Sequence, residues 1–202
     1  RLQASLNHAH IAQVYGFETR EGVHALVMEL VDGETLGELI AGTGVPVSRA
    51  LALARLIADA LDAAHGYGIV HRDLKPANIM LADGDPAQAK IIDFGLAKIV
   101  ADEGLTLTDE SQLLGSPGYW APEQGRQALV GPAVDVYALG ALAYVVLSSA
   151  PMFSPRPAVA MIYAHAHETP EPLAKGGGVV PDELAELVQA CVAKVLADRP
   201  RS

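Results

Sequence analysis

The segment of residues 71–78, HRDLKPAN, places several groups that could perform chemistry within eight positions. The Asp73 carboxylate could accept a proton, and Lys75 could neutralise negative charge two residues later. The amide of Asn78 and the carboxylate of Asp93, fifteen positions further on, offer the oxygen atoms that Mg²⁺ prefers. A lone Asp or Asn near a turn usually serves the turn itself, so the ordered set carries the argument.

This segment and the later Asp93-Phe94-Gly95 resemble the catalytic loop and the metal-binding loop of the protein kinase family. The resemblance implies that Asp73 is the base that orients a Ser or Thr hydroxyl. It implies that Lys75 approaches the transferred phosphate, and lysine at this place is typical of Ser/Thr kinases. The implied metal ligands are Asn78 and Asp93, which would bind the Mg²⁺ or Mn²⁺ that accompanies ATP.

The resemblance also implies regulation by phosphorylation. Arg72 would bind a phosphate on the activation segment, residues 93–123, through a bidentate contact suited to arginine. Thr106 and Thr108 resemble the paired autophosphorylation threonines of bacterial kinases, and the alternative is that they belong to an ordinary polar loop. Ser116 stands where the family usually has Thr, and its hydroxyl would help shape the substrate site.

Four further residues are implied to support the fold. His71 would be a buried scaffold residue near the metal-binding loop, although its residue type alone suggests a base. Glu123, in Ala-Pro-Glu, would form a buried ion pair with Arg199. Asp135 would hold the backbone of the catalytic loop from a buried helix, because a buried charge requires a partner.

Residues 28–31 resemble the hinge between the two lobes of a kinase. Met28 would lie beside adenine, and backbone groups of Glu29 and Val31 would bind the edge of the ring. The fold class expected from this resemblance is α+β, a protein kinase-like fold with a mostly helical larger lobe. Residues 1–31 would form part of the smaller lobe, and residues 32–202 would form the larger lobe.

Hydrophobic periodicity predicts the secondary structure that would position these groups. Ser48 is the predicted N-cap of a long helix that runs to about residue 67. An apolar stripe that includes Leu187 and Val195 predicts a helix over residues 182–196. The other predicted helices cover residues 35–41, 132–147 and 158–167, and the predicted strands cover residues 11–17, 23–30, 79–81 and 89–92.

Composition excludes several classes of protein. Half of the residues are hydrophobic, which is a globular composition. The net charge of -10 argues against nucleic acid as a partner, because a phosphate backbone requires a basic surface. The single cysteine fits a reducing compartment, and no apolar run reaches the roughly 20 residues of a membrane span. We therefore expect a cytoplasmic location, or the cytoplasmic face of a membrane if the parent protein continues into a membrane helix.

The 202 residues contain no Gly-rich phosphate loop. They also lack the upstream strand lysine that pairs the α- and β-phosphates of ATP in kinases, and the helix glutamate that positions this lysine. The chain starts with Arg, which suggests a fragment, and we expect it to be weakly active or inactive alone. Implied partners are ATP and proteins with Ser or Thr, with a dimer as one route to autophosphorylation. The alternatives are a degenerate kinase-like binding module and, less favoured, a small-molecule phosphotransferase.

Overall fold

The computed structural model describes residues 6–20, 23–42, 45–94, 117–125, 131–173 and 180–201. The strands in this part of the chain are β1 (Val14–Arg20), β2 (Val23–Met28), β3 (Gly33–Thr35), β4 (Ile79–Ala82) and β5 (Ala89–Ile91). The α-helices are α1 (Leu36–Gly42), α2 (Val47–Gly66), α3 (Pro122–Gly125), α4 (Ala133–Ser148), α5 (Ala158–His167) and α6 (Asp182–Cys191). No helix within these ranges combines the length and the apolarity needed to cross a membrane.

The first two predicted strands correspond to β1 and β2, which pair antiparallel with Arg20 opposite Val23. Ile11 was predicted to belong to the first strand, but it lies outside β1 and forms an isolated parallel bridge with Ile91. The Ala12 N–H donates to the Ile91 carbonyl at 2.9 Å, and the Ile91 N–H donates to the His10 carbonyl at 2.9 Å. These bonds attach the segment before the hairpin to β5.

The second sheet has the antiparallel order β3-β4-β5. The strands predicted over residues 79–81 and 89–92 correspond to β4 and β5. In contrast, β3 was not predicted, because residue 35 was assigned to the start of a helix. Gly33 permits this strand pairing. Its φ is 147°, and a Cβ there would lie 2.0 Å from the Leu81 carbonyl oxygen. Only glycine lets the two backbones approach this closely.

Helix α2 follows the predicted periodicity, but it begins before the predicted position. Pro46 is the N-cap residue and Ser48 lies inside the first turn, so the prediction of Ser48 as N-cap was wrong. Proline fixes φ near the value that a helix start requires, and Pro46 has φ -56°. The face that packs into the core consists of Ala50, Leu53, Ile57, Ala60, Leu61 and Ala64.

Helix α4 is buried between two groups of apolar side chains, as its nearly uniform apolar sequence predicted. Ala138, Leu142 and Val146 join the core formed by α2, β4 and β5. On the other side, Tyr137 and Ala141 join a second core that includes residues of α5 and α6. The Asp135 carboxylate on α4 is therefore enclosed by protein.

Helix α6 ends at Cys191, earlier than the predicted residue 196. Leu187 and Val195 were placed on its buried stripe, but they are 53% and 58% exposed. Val195 has extended backbone, and the Ala193 carbonyl accepts a hydrogen bond from Arg199 Nε at 2.8 Å. The segment after Cys191 thus leaves the helix and places the Arg199 guanidinium inside the protein.

Contact between α4 and α6 depends on Gly140. A Cβ at this position would lie 2.5 Å from Cys191 Cβ and 3.0 Å from Val192 Cγ1. We expect Gly140→Ala to lower the free energy of unfolding by about 1–3 kcal/mol, because the two helices must separate to admit the methyl group. Urea denaturation followed by Trp120 fluorescence measures the change.

Gly66→Ala is the matched control for this substitution. Gly66 is the last residue of α2, and a Cβ there meets no atom within 4 Å. This variant should be neutral or stabilised by up to about 1 kcal/mol, because alanine lowers the entropy of the unfolded chain. Equal effects of the two substitutions would contradict the role of close helix packing.

His165 on α5 makes the stability of the protein depend on pH. Its ring is buried, and the Tyr137 hydroxyl lies 2.9 Å from its Nδ1. Burial, followed by the Lys194 cation, lowers the pKa of His165 to about 4. The folded protein thus keeps this ring neutral at pH values where the unfolded chain, with an ordinary pKa of about 6.5, binds a proton.

The free energy of unfolding should therefore fall as the pH drops from about 6.5 to about 4, by at most about 3 kcal/mol from this group. Urea denaturation at pH 7 and pH 4.5 measures the loss. His165→Gln should reduce it, because glutamine does not titrate. A variant with the same pH dependence as the wild type would show that other groups cause the loss.

Candidate active site

The loop between α2 and β4 brings together three of the predicted site residues. Lys75 Nζ lies 2.7 Å from Asp73 Oδ2. The side-chain amide nitrogen of Asn78 donates to the Asp73 carbonyl at 2.8 Å and to Asp73 Oδ2 at 3.3 Å. The Asp73 side chain is 42% exposed, so a substrate can reach it. The loop thus fixes one accessible carboxylate between a cation and an amide.

Asp93 follows the end of β5, next to this loop. The Ile92 N–H donates to the Asn78 carbonyl at 2.9 Å, which sets the residue before Asp93 against Asn78. Asp93 is half-buried and has φ 62°, a left-handed conformation that is uncommon for non-glycine residues. Strained backbone of this kind is often found at functional sites. Gly95, the last residue of the motif, lies outside the described residues.

The donor set fits a magnesium ion. Because the Asn78 amide nitrogen is held by Asp73, its amide oxygen is the group that remains for a cation. Asp93 supplies a carboxylate, and Mg²⁺ usually takes one or two protein oxygens together with substrate phosphates and water. In the described residues, no group of three or more His, Cys, Asp and Glu side chains could hold a metal. A site of this type needs fewer protein ligands than that.

His71 is buried and its ring lies inside the scaffold. His71 Nδ1 accepts from the Asp73 N–H at 3.2 Å, and Nε2 lies 3.0 Å from the Ile92 carbonyl. These partners assign the proton to Nε2. Burial lowers the pKa of His71, so the ring is neutral. The Phe94 ring packs edge-on with centroids 4.7 Å apart. The neutral ring therefore connects the loop of residues 71–78 to Ile92 and Phe94, which follow β5.

Asp135 on α4 holds the backbone of the same loop. Its carboxylate is fully buried and accepts from the N–H groups of His71 and Arg72, each at 2.8 Å. His65 Nε2 lies 2.8 Å from Asp135 Oδ2. Arg72 has φ 70°, and the two backbone bonds to Asp135 stabilise this left-handed conformation. Charge-assisted bonds of this type are among the stronger ones in proteins.

The Arg72 side chain has a buried nitrogen, Nε, that makes no hydrogen bond to the described residues. The Arg72 carbonyl accepts from Gln124 Nε2 at 2.7 Å. Thr106, Thr108 and Ser116, predicted to regulate the site, lie outside the described residues.

The predicted hinge follows the end of β2. Met28 is the last residue of that strand, and both Met28 and Val31 are half-buried. The Glu29 carboxylate accepts from the Gln13 N–H at 3.1 Å and pairs with Lys90 Nζ at 2.5 Å. The hydrogen bond from Lys90 is the main reason why the pKa of Glu29 is lowered. This pair connects the residue after β2 to β5.

Glu123 and Arg199 form a bidentate ion pair. Arg199 donates from its two terminal nitrogens to the two carboxylate oxygens of Glu123, at 2.6 and 2.9 Å. Both residues are buried. Arg199 also donates to the Ala133 carbonyl at 3.0 Å, and its guanidinium lies 4.9 Å from the centre of the Tyr137 ring. Arg199 thus joins α3, which carries Glu123, to the start of α4.

Comparison with known proteins settles the family. A family model described as the protein kinase domain matches residues 1–201. The chain belongs to the protein kinase family. The serine/threonine-protein kinase PknB of Mycolicibacterium smegmatis is 38% identical over 202 residues, covering 98% of this chain and 31% of that kinase. PkaA of Streptomyces coelicolor, also a serine/threonine-protein kinase, is 38% identical over 198 residues, covering 96% of this chain and 35% of that kinase.

The chain thus spans about a third of the length of these curated relatives. The kinase domain of Mycobacterium tuberculosis PknI has the same fold, with a TM-score of 0.74 and 29% identity over all of this chain and 71% of that one. The predicted α+β kinase-like fold and the resemblance to bacterial Ser/Thr kinase catalytic domains are therefore confirmed.

Three residues of the kinase site were not predicted from the sequence. His65 contacts Asp135, Gln124 contacts the Arg72 carbonyl, and Lys90 pairs with Glu29. His65 was detectable in principle, because it is a polar residue beside the apolar face of α2. Nothing in the local sequence distinguishes Gln124 or Lys90 from ordinary surface residues.

Proposed function

We propose that this kinase domain transfers the γ-phosphate of ATP to Ser or Thr hydroxyls of protein substrates. The observation that carries the proposal is the joint position of Asp73, Lys75 and Asn78 on one accessible loop. Phosphoryl transfer requires mainly positioning and charge neutralisation, and this loop offers both. The names of the relatives, which are serine/threonine-protein kinases, agree with this substrate class.

Each residue of the loop has a separate part in the proposed reaction. The Asp73 carboxylate orients the substrate hydroxyl and accepts its proton. Lys75, already paired with Asp73, neutralises charge on the transferred phosphoryl group. Asn78 and Asp93 would hold Mg²⁺ or Mn²⁺, which supplies further charge neutralisation when bound. His71 and Asp135 stabilise the backbone conformation of the loop and take no part in the chemistry.

The nucleotide would lie against the hinge. Met28 would contact adenine, with the Glu29 carbonyl and the Val31 N–H at its edge. Residues 1–31 are then a portion of the smaller lobe and residues 32–202 the larger lobe. The ion pair of Glu29 and Lys90 would set the distance between the hinge and β5.

Phosphorylation would regulate the site through Arg72. A phosphate on Thr106 or Thr108 carries about -1.5 to -2 charges and could pair with the guanidinium. The buried Nε of Arg72, unmatched among the described residues, supports this role. Ser116 would help to shape the site for the substrate hydroxyl.

The experiment that tests the proposed function uses the full-length product of the gene with radiolabelled ATP and Mg²⁺. We expect label on Ser and Thr of a basic protein substrate and none on an aminoglycoside. Label on the aminoglycoside alone would identify a small-molecule phosphotransferase, and no label on either would favour a binding module.

A polypeptide of only these 202 residues should transfer phosphate weakly. It contains no Gly-rich loop and no upstream lysine to bind the phosphates of ATP. The same assay on this shorter polypeptide measures the difference. Turnover equal to that of the full-length product would show that the domain needs neither element.

A further inference from the structure

A pocket of about 340 Å³ opens beside the catalytic loop, between α1 and α4. Its walls are almost entirely apolar among the described residues. The Tyr119 ring forms one side, and burial raises the pKa of its phenol, which is therefore neutral. The residues that carry the argument are Ile40 and Ala41 of α1, Ala77 of the catalytic loop, Tyr119 and Val145 of α4.

Lys75 connects this pocket to the proposed reaction. It lines the pocket, and its Nζ lies 2.7 Å from Asp73 Oδ2. The pocket is therefore within reach of residues close in sequence to a hydroxyl that is presented to Asp73. The pocket is thus continuous with the place where a protein substrate would bind.

The charge of the walls selects the occupant. Among the described lining residues there is no carboxylate, so a basic side chain would lose its hydration without gaining a counter-charge. Lys75 is the one charged residue in that set, and it is already paired with Asp73, so it attracts an acidic side chain only weakly. An apolar side chain gains free energy when it is removed from water.

We propose that this pocket binds an apolar side chain of the protein substrate, close in sequence to the phosphorylated Ser or Thr. Ile40, Ala41 and Val145 would determine the preference. The inference rests on the proposed function, because it takes Asp73 as the position of the acceptor hydroxyl. It goes further by naming the class of substrate sequence.

The test uses the full-length product and peptides that contain one Ser among alanines. Leu, Arg or Glu is placed singly at each of the three positions on either side of the Ser. At one position we expect Leu to give a kcat/KM about tenfold higher than Arg or Glu, through KM rather than kcat. Calorimetric titration of the same peptides with Ala in place of Ser should show the same order of affinity.

Ala41→Glu tests the pocket itself. Ala41 is exposed on α1, so the domain should fold, and the new carboxylate should shift the preference from Leu to Arg at that position. Ala160→Glu, on an exposed position of α5, is the matched control and should leave the preference for Leu unchanged. Val145→Ala should weaken the preference without reversing it.

The outcomes separate the two proposals. Equal kcat/KM and equal affinity for Leu, Arg and Glu peptides at every position would overturn the pocket assignment. A preference for Leu that remains unchanged in the Ala41→Glu variant would also overturn the pocket assignment. Binding that prefers Leu and responds to Ala41→Glu, without any phosphate transfer, would support the pocket and overturn the proposed function.

Discussion

Asp73→Asn should lower kcat for phosphate transfer by about 10³-fold and leave the fold intact. Asparagine keeps the size of the side chain but does not accept a proton at neutral pH. The amide would also lose the charge attraction to Lys75 Nζ, now 2.7 Å from Asp73 Oδ2. The ion pair is partly exposed, so its loss should change the free energy of unfolding by less than about 1 kcal/mol. Steady-state assays of the full-length product and urea denaturation measure the two effects.

Asp62→Asn is the matched control for this substitution, because Asp62 is an exposed carboxylate on α2. It should leave kcat unchanged. The dependence of the initial rate on ATP concentration gives a further check, since Asp73→Asn should alter kcat far more than the KM for ATP. Normal phosphorylation by the Asp73→Asn variant would mean that another group orients the hydroxyl.

The site residues whose proximity was most evident from the sequence are those close together in the chain. Asp73, Lys75 and Asn78 lie within one loop, so the position of one nearly determines the positions of the others. The long helices were also predictable, because α2 has enough turns to show an apolar face and α4 is apolar on nearly every side. By contrast, β3 consists of Gly33, Glu34 and Thr35, none of which is apolar, so no hydrophobic pattern marks it as a strand.

Most contacts between residues far apart in the chain could not be predicted from the sequence. His65 and Asp135 are 70 positions apart, Glu29 and Lys90 are 61 apart, and Gln124 and Arg72 are 52 apart. No periodicity links such residues, and only the folded backbone brings them together. Glu123 and Arg199 are 76 positions apart, and their pairing was expected only through the family resemblance.

Arg199→Met should lower the free energy of unfolding by about 3–5 kcal/mol. The substitution leaves the Glu123 carboxylate buried without its partner, and an unpaired buried charge strongly lowers the free energy of unfolding. It also removes the hydrogen bonds to the carbonyls of Ala193 and Ala133. Urea denaturation followed by Trp120 fluorescence measures the loss, because Trp120 lies three residues before Glu123.

Arg156→Met is the control for loss of an arginine in general. Arg156 Nη1 lies 2.7 Å from Glu168 Oε1, as close as the atoms of the buried pair, but the two side chains are 27% and 41% exposed. Solvent screens this pair, so the substitution should change the free energy of unfolding by less than about 1 kcal/mol. Equal losses from the two variants would show that burial does not determine the strength of the effect.

The double variant Glu123→Leu/Arg199→Met separates the ion pair from the remaining contacts of Arg199. Because it leaves no buried charge at this position, it should be more stable than Arg199→Met alone. Some loss should persist, since the carbonyls of Ala193 and Ala133 still lack their donor. If the double variant were as unstable as Arg199→Met, those backbone contacts, rather than the unpaired carboxylate, would account for the effect.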